Sequence, residues 1–395
     1  MDSMTKYWIW LQKAIGMASD RSDALLAAFE TPKDIYEHRA DIEHEVPILQ
    51  PRDCIGLKSV PLTAADKIIS DCERFGFGIL TPDMPMFPKC LLGICGVPMV
   101  LYTVGDQSLL NLPVKATMVG TRQATKYATR AAYKLSYDLA KAGVVIVSGY
   151  ALGIDSWSHG GALDAGGKTI AVAGAGLDVN YPSQNADLRN RIMREGLVIS
   201  EFPPFSRPER AHFPYRNRVL AALSKGTILV EAPRISGALI TARSAVEQGK
   251  DLYVVPHDIF NSNAVGGMEL LKECGYVITN AVDFLRNYLT EYAEQLNLEA
   301  IPTKNEYAPS EDVLSQDPKN GVKKTILKPV DLPEGMDENT KAVYNILKAG
   351  KFTADELAER SELPIGTVLG VLTELELEDW IHRTGSNTYT ALPEN

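Results

Sequence analysis

No apolar run in this chain approaches the roughly 20 residues that span a bilayer. The first residues, Met1-Asp2-Ser3-Met4-Thr5-Lys6, lack the basic flank and apolar centre of a secretory signal. A cytoplasmic location without membrane contact is therefore expected. Cysteine is scarce: Cys54, Cys72, Cys90, Cys95 and Cys274 are odd in number and scattered, which argues against a disulfide framework. Cys90 and Cys95 are the one close pair, and neither a second pair nor a nearby histidine completes a zinc set. Small, buried, apolar cysteines are the simpler reading. No cluster has metal-ligand spacing and no nucleophile-elbow pattern is present, so neither a metal nor another cofactor is expected.

Two near-matches to nucleotide motifs fail. Gly174-Ala175-Gly176 follows an apolar run, as a dinucleotide fingerprint would, but Val179 stands where the third glycine belongs. Ala162 to Thr169 is one residue short of a phosphate-binding P-loop and runs helix to strand, the reverse of the required order. Ser148, Asp155 and His159 invite a nucleophile-and-base reading. Asp155 and His159 lie one helical turn apart near a helix start, where Asp commonly caps, and a structural role is the better reading.

What is present is an ordinary globular composition with an uneven charge. The net charge of −10 hides a middle stretch, Lys115 to Asn280, with 19 basic against 14 acidic residues. From Asp331 to the end the balance is 5 against 13. The middle can meet a polyanion; the C-terminal part should repel one.

The 395 residues suffice for two or three domains. Residues 1–62 read as short helices of a small SAM-like or helix-hairpin domain, with Ile55-Gly56-Leu57-Lys58-Ser59-Val60 either a DNA-binding turn or a plain helix connection. Residues 63–285 read as an extended Rossmann-like domain. Within it a helix and two short strands (63–113) add an edge unit. Then come strands near 116–119, 144–148, 169–173, 197–200, 227–231 and 251–255, alternating with helices. Short apolar runs without alternation suit strands covered on both faces, and repeated βα units imply a doubly wound, mostly parallel α/β sheet with right-handed crossovers. Residues 286–332 read as a polar linker. Residues 333–395 read as a winged helix: three helices and a hairpin around Gly385-Ser386, with a capping box at Thr353 and Glu356.

In such a sheet, ligands bind outside the carboxyl ends of the strands. The loops expected there carry Gly120, Thr121 and Arg122; Ser148, Gly149 and Gly153; Gly174 to Asp178; Arg216, Asn217 and Arg218 at a helix start; and Ser236, Gly237 and Thr241. Glycine and serine let backbone approach phosphates, and arginine forks suit phosphate oxygens. Arg122 and Arg216 are the expected phosphate contacts, with Asn217 holding loop backbone. The loop from Phe202 to His212 interleaves Phe205, Arg207 and Arg210, a pattern that suits stacking of unpaired bases. Buried phenylalanines beside solvated arginines would leave the same pattern.

The ordered motifs Val119-Gly-Thr-Arg122, Ser148-Gly-Tyr-Ala-Leu-Gly-Ile-Asp155, Phe213-Pro-Tyr-Arg-Asn-Arg218, Ser236-Gly-Ala-Leu-Ile-Thr-Ala242 and Val255-Pro256 resemble the DprA (Smf) family. The resemblance covers the whole Rossmann-like block. It implies a non-enzymatic protein that binds and protects single-stranded DNA and loads a RecA-type recombinase in natural transformation. It further implies a homodimer, with a single-strand-binding protein as another candidate partner. His257 stands where the family usually has glycine, Ser158 where it usually has alanine, and Tyr150 is a further departure. The candidate dimer surface is Val265, Met268, Leu271 and Tyr276. Two alternatives remain. One is a nucleotide-processing enzyme, although the Pro-Gly-Gly-x-Gly-Thr loop of phosphoribohydrolases is not found. The other is a duplex-binding regulator, although the segment Ile365 to Leu375 has no Lys or Arg and is followed by Glu376, Glu378 and Asp379.

Overall fold

The apolar runs of the middle block become the parallel strands of one nine-stranded sheet. β3 (Lys115–Val119), β4 (Val145–Ser148), β5 (Thr169–Ala173), β6 (Leu197–Ser200), β7 (Gly226–Leu229), β8 (Asp251–Val254) and β9 (Tyr276–Val277) lie in the order β6-β5-β4-β3-β7-β8-β9. The chain winds outward in one direction from β3 to β6, then restarts at β7 beside β3. The sheet therefore has its switch point between β3 and β7, where crossovers leave in opposite directions and a crevice opens. The computed structural model describes residues 3–302, 337–377, 380–383 and 388–391. They fall in two compact units, Met1–Gly321 and Val322–Asn395.

The edge unit forms as the sequence suggests. β1 (Gly78–Leu80) pairs antiparallel with β2 (Leu101–Gly105), and β2 pairs antiparallel with β6, with Tyr102 opposite Ser200. Helices cover both faces. α7 (Lys126–Lys141) and α8 (Ile154–Asp164) enclose one core with Met118, Ile146 and Ile228. α10 (His212–Leu223) supplies Val219, Leu220 and Leu223 to the core on Val145, Ile170 and Ile199. α9 (Ala186–Glu195), α11 (Gly237–Glu247) and α12 (Val265–Glu273) complete the crossovers.

Six helices precede the sheet: α1 (Ser3–Ile15), α2 (Asp20–Ala28), α3 (Pro32–His38), α4 (Ile42–Glu45), α5 (Pro51–Ser59) and α6 (Thr63–Phe75). They do not close a core of their own. Trp8, Trp10, Leu25, Ile35 and Leu57 share one apolar cluster with Tyr102, Ala171 and Val198 of the sheet. Gln12 pins the junction, donating to the Glu201 carbonyl (2.9 Å) and accepting from the Tyr102 hydroxyl (3.2 Å). Residues 55–59 are the end of α5 and not a DNA-binding turn. Gly56 lets α5 close on α1, since a Cβ there would lie 1.9 Å from the Ala14 carbonyl oxygen.

The polar linker does not begin at residue 286. Tyr288 and Leu296 are buried in the sheet core. The Gln295 amide exchanges hydrogen bonds with Val114 and donates to the Gly143 carbonyl, each at 2.9 Å. Polar composition masked this strap because a few apolar anchors and one amide suffice to dock it. Residues 303–332 lie outside the described residues.

The second unit is a winged helix. α13 (Glu338–Leu347), α14 (Ala354–Ser361) and α15 (Ile365–Leu377) pack Val343, Tyr344, Leu357 and Leu372 beside the small sheet β10 (Phe352–Thr353), β12 (Thr388–Ala391) and β11 (Ile381–Arg383). The capping box is formed: the Glu356 N–H donates to Thr353 Oγ1 (3.3 Å) and the Thr353 N–H to Glu356 Oε2 (2.7 Å). The expected hairpin tip at Gly385-Ser386, and Glu378 and Asp379, fall outside the described residues.

Candidate nucleic-acid interface

The strand-end loops meet around a cavity of about 350 Å³ at the switch point. Gly120, Thr121 and Arg122 after β3 form one wall, and Pro233, Ser236, Gly237 and Thr241 after β7 form the other. Asp155, Arg216 and Asn217 make the floor and Phe213 a corner. Gly120 is needed because a Cβ would strike Ile154 at 2.5 Å. The Thr121 N–H donates to the Glu231 carbonyl at 2.8 Å, which fixes the first loop against the end of β7.

Arg122 is the exposed cation of the site. Its guanidinium carbon lies 5.2 Å from the centroid of the Phe213 ring, within cation–π reach. Arg216 is different. It is 5% exposed and donates to the carbonyls of Gly149 and Val172, and through Nε to Asn217 Oδ1 at 3.3 Å. Asp155, also buried, faces it from the first turn of α8 and accepts from the Ala151 N–H at 3.1 Å. A Cβ on Gly149 would sit 2.7 Å from Asp155 Oδ2 and 2.8 Å from Arg216 Nη2, so glycine makes room for this pair. Burial lowers the Arg216 pKa to about 10, against the pull of Asp155. Burial likewise raises the Asp155 pKa, opposed by Arg216, the Ala151 N–H and Ser148. The floor is thus a charge-balanced pair, and Arg122 carries the uncompensated positive charge at its rim.

Arg218 does not reach the cavity. Residues two apart on a helix point to different sides. Its fork grips Glu201 at 2.6 and 2.7 Å, and its Nε donates to the Gly96 carbonyl at 3.0 Å. It ties α10 to the end of β6 and to the 96 loop, and it is a structural arginine. Asn217 donates to the Gly237 carbonyl at 3.3 Å, joining the floor to the wall that follows β7. Ser236 caps α11 by accepting from the Ala238 N–H. Thr241, 1% exposed, lines the cavity with a hydroxyl that has no partner among the described residues. Ser148 is buried beneath the loop and donates to the Met118 carbonyl at 2.7 Å. Gly153 takes φ +77°, and a Cβ would lie 2.5 Å from the Thr121 carbonyl oxygen.

The nucleophile-and-base reading finds no geometry. His159 is fully buried, with Nδ1 2.6 Å from Thr169 Oγ1. The Thr169 hydroxyl already donates to the Ile146 carbonyl (2.7 Å), so it accepts from Nδ1–H. Burial first, and then Arg216, drops the His159 pKa to about 3, so the ring stays neutral.

A second, smaller cavity of about 60 Å³ shares Arg122, Ala151 and Phe213 with the first. Gly174, Gly176, Tyr181 and Arg189 line it. Tyr181 is partly exposed, with its ring 5.8 Å from Phe213. Phe213, Asp155 and Tyr181 were absent from the expected site residues. Phe213 had a legible signal: it stands three and four residues before Arg216 and Asn217, on the same helix face.

The aromatic–basic loop divides. Phe202 is buried and stacked on His212 at 3.9 Å. Phe205 is exposed at φ +68°, its N–H bonded to Asp178 Oδ1 at 2.8 Å and its ring turned toward Phe75 at 5.7 Å. Arg207 and Arg210 are exposed, and neither lines the two cavities. At the far wall, buried Glu231 accepts from the Thr125 N–H and hydroxyl (both 2.8 Å) and from Asn261 (2.9 Å). His257 joins this network. Its Nδ1 accepts from Asn261 Nδ2 (3.0 Å) and its Nε2 donates to the Val230 carbonyl (2.8 Å), so the departure from glycine anchors the loop to the sheet.

Residues 78–289 match the family model described as DNA recombination-mediator protein A, and residues 328–387 match that of the DprA winged helix domain. Protein Smf of Synechocystis is 34% identical over 75% of this chain and 76% of its own length. The X-ray structure of DNA processing protein A from Streptococcus pneumoniae superposes with a TM-score of 0.64 at 31% identity, over 72% of this chain and 98% of that one. A structure of DNA processing protein A from Helicobacter pylori, described for its single-stranded DNA binding mode, reaches 0.50 at 35% identity over 55% and 97%.

Proposed function

The chain belongs to the DNA recombination-mediator protein A (DprA/Smf) family, and on that premise we propose that it binds single-stranded DNA at the switch-point cavity and loads a RecA-type recombinase onto it. The observation that carries this reading is Arg122, exposed at the rim and lying over Phe213, above a floor whose own charges are paired. A guanidinium over an aromatic face offers one phosphate contact and one stacking surface, which an unpaired strand can use and a stacked duplex cannot. Gly237 and the unpartnered Thr241 hydroxyl add room and a polar group for the sugar–phosphate chain. The single-strand binding described for the Helicobacter protein supports the assignment. The setting we infer is cytoplasmic handling of incoming DNA, as in natural transformation, without catalytic turnover. A mobility-shift titration with single-stranded and duplex DNA of one sequence tests it. Retarded single strand with little retarded duplex, and faster recombinase filament formation on strands coated with single-strand-binding protein, are the expected results. Equal affinity for duplex would sink the proposal.

We also infer that the protein is a homodimer through the β9 edge. Tyr276 and Val277 are 57% and 52% exposed on an edge strand, an arrangement that invites pairing. Met268 and Leu271 of α12 are half-buried beside it, and Val265 opens that helix. The double variant Met268→Asp/Leu271→Asp should sediment as a monomer; a full dimer would place the interface elsewhere.

A further inference from the structure

The sheet has a second basic concentration, at the end opposite the strand-end loops. Lys115 begins β3, Lys225 immediately precedes β7 and Lys250 immediately precedes β8. These are three neighbouring parallel strands. The residues are in register: the Lys225 N–H donates to the Lys115 carbonyl (3.0 Å) and the Asp251 N–H to the Lys225 carbonyl. With strands about 4.8 Å apart, three lysine backbones fall within about 10 Å of one another. Lys89 joins them from the turn before β2, and all four line one cavity of about 270 Å³ with Cys90, Asn111 and Ser224.

Among the described residues, no carboxylate lines this cavity. Lys115 is 4% exposed and spends two donors on the carbonyls of Leu110 and Leu112. Lys225 donates to the Tyr292 hydroxyl (2.5 Å), which is bonded in turn to Glu291, the nearest acid on that path. Asp251 is held by the Tyr288 hydroxyl. The Lys89 and Lys250 ammonium groups have no hydrogen-bond or ion-pair partner among the described residues. Cys90 does not supply the missing negative charge, because burial raises its pKa despite the three lysines that lower it. Like charges held together in a chain of net charge −10 are a standing electrostatic cost unless an anion offsets it. Surface lysines usually scatter; these converge by strand register.

We propose that the cavity at the amino ends of β3, β7 and β8 is a second anion site, which binds a phosphate group through Lys89, Lys225 and Lys250, with Lys115 as its buried base. The phosphate comes either from a nucleic-acid backbone or from a small phosphorylated ligand. The site does not depend on the strand-end reading, since it lies at the other end of the same strands.

Inorganic pyrophosphate, titrated by calorimetry into the full chain carrying Arg122→Ala, isolates this cavity. Binding is expected to persist in that background and to weaken roughly tenfold or more when Lys89→Ala and Lys250→Ala are added, the scale of a lost charged hydrogen bond. Both side chains lie away from the core clusters, so the fold should survive, which a circular dichroism melt checks. No pyrophosphate binding in the Arg122→Ala protein, or binding unchanged by the lysine substitutions, would overturn the proposal. Short and long oligothymidylates with the lysine double variant then separate the sources. Weaker binding of the long strand alone, with a shallower salt dependence, identifies a backbone phosphate. Unchanged binding of both identifies a small ligand. Loss of short-strand affinity would mean that the lysines act on the strand-end site, and would count against a second site.

Discussion

Arg122→Ala lowers affinity for single-stranded DNA by about 10- to 100-fold, the equivalent of the roughly 1.5–3 kcal/mol carried by a hydrogen bond to a charged partner. The salt dependence should shrink with it, by about 0.7 in log–log slope for one released phosphate contact. The unfolding free energy should stay within about 0.5 kcal/mol of wild type, as for other exposed side chains. This combination follows from position: the guanidinium leans on the Phe213 ring, and among the described residues no hydrogen bond holds its fork. Arg122→Lys keeps the charge and loses the planar fork, so it should recover the salt slope and only part of the affinity. Fluorescence anisotropy at several salt concentrations reads both quantities. Unchanged affinity for Arg122→Ala would remove Arg122 from the contact and with it the main support for the switch-point cavity as the DNA site.

Arg216→Met has its largest effect on folding. Removing Arg216 leaves the buried Asp155 without its nearby counter-charge; breaking a buried ion pair in direct contact costs about 3–5 kcal/mol, and this more distant pair should lose less. The pH dependence has a definite sign. Burial already holds the folded Asp155 pKa above its ordinary value. A raised carboxyl pKa favours the protonated form in the fold. Its contribution is therefore present below the unfolded pKa and is lost as pH rises through the folded value. Without Arg216 the folded pKa moves further up and the loss deepens toward neutral pH. Urea unfolding should find the variant least destabilised near pH 5 and most destabilised near pH 8. Adding Asp155→Asn should flatten that difference and recover part of the stability at pH 8. Equal destabilisation at both pH values would mean that the pair does not carry the effect. Weak DNA binding by an Arg216 variant would thus report a disturbed site floor before it reported a lost phosphate contact.

Loop 202–212 shows where a residue pattern underdetermines structure. Phe202 and Phe205 have the same side chain three residues apart, yet Phe202 stacks on His212 in the interior while Phe205 faces solvent beside Phe75. The difference comes from a positive φ at Phe205 and the Asp178 carboxylate that receives its N–H, a partner 27 residues distant. Residues 1–62 make the same point at a larger scale. Their helical spacing was legible, but Trp10 and Leu57 close their core on Tyr102 and Ala171, and no local pattern announces a partner that far along the chain.

Local residue order was enough for the parallel strands, the crossover helices, the winged helix with its Thr353–Glu356 box, and the loops that gather at the strand ends. Short apolar runs, caps and turn residues act over a few positions, so they can be read in line. The roles of the two flanking arginines could not be read that way. Arg216 and Arg218 look equivalent in the chain, but the helix turns one toward Asp155 under the cavity and the other toward Glu201 behind it. Burial then converts the first from a free cation into half of a neutral pair, leaving Arg122 as the charge at the rim. Lys115, Lys225 and Lys250 at the opposite end are separated by up to 135 positions and meet because β3, β7 and β8 are neighbours in the sheet. Pairing and depth belong to strand order and packing, and these decide which charges remain free to meet a ligand.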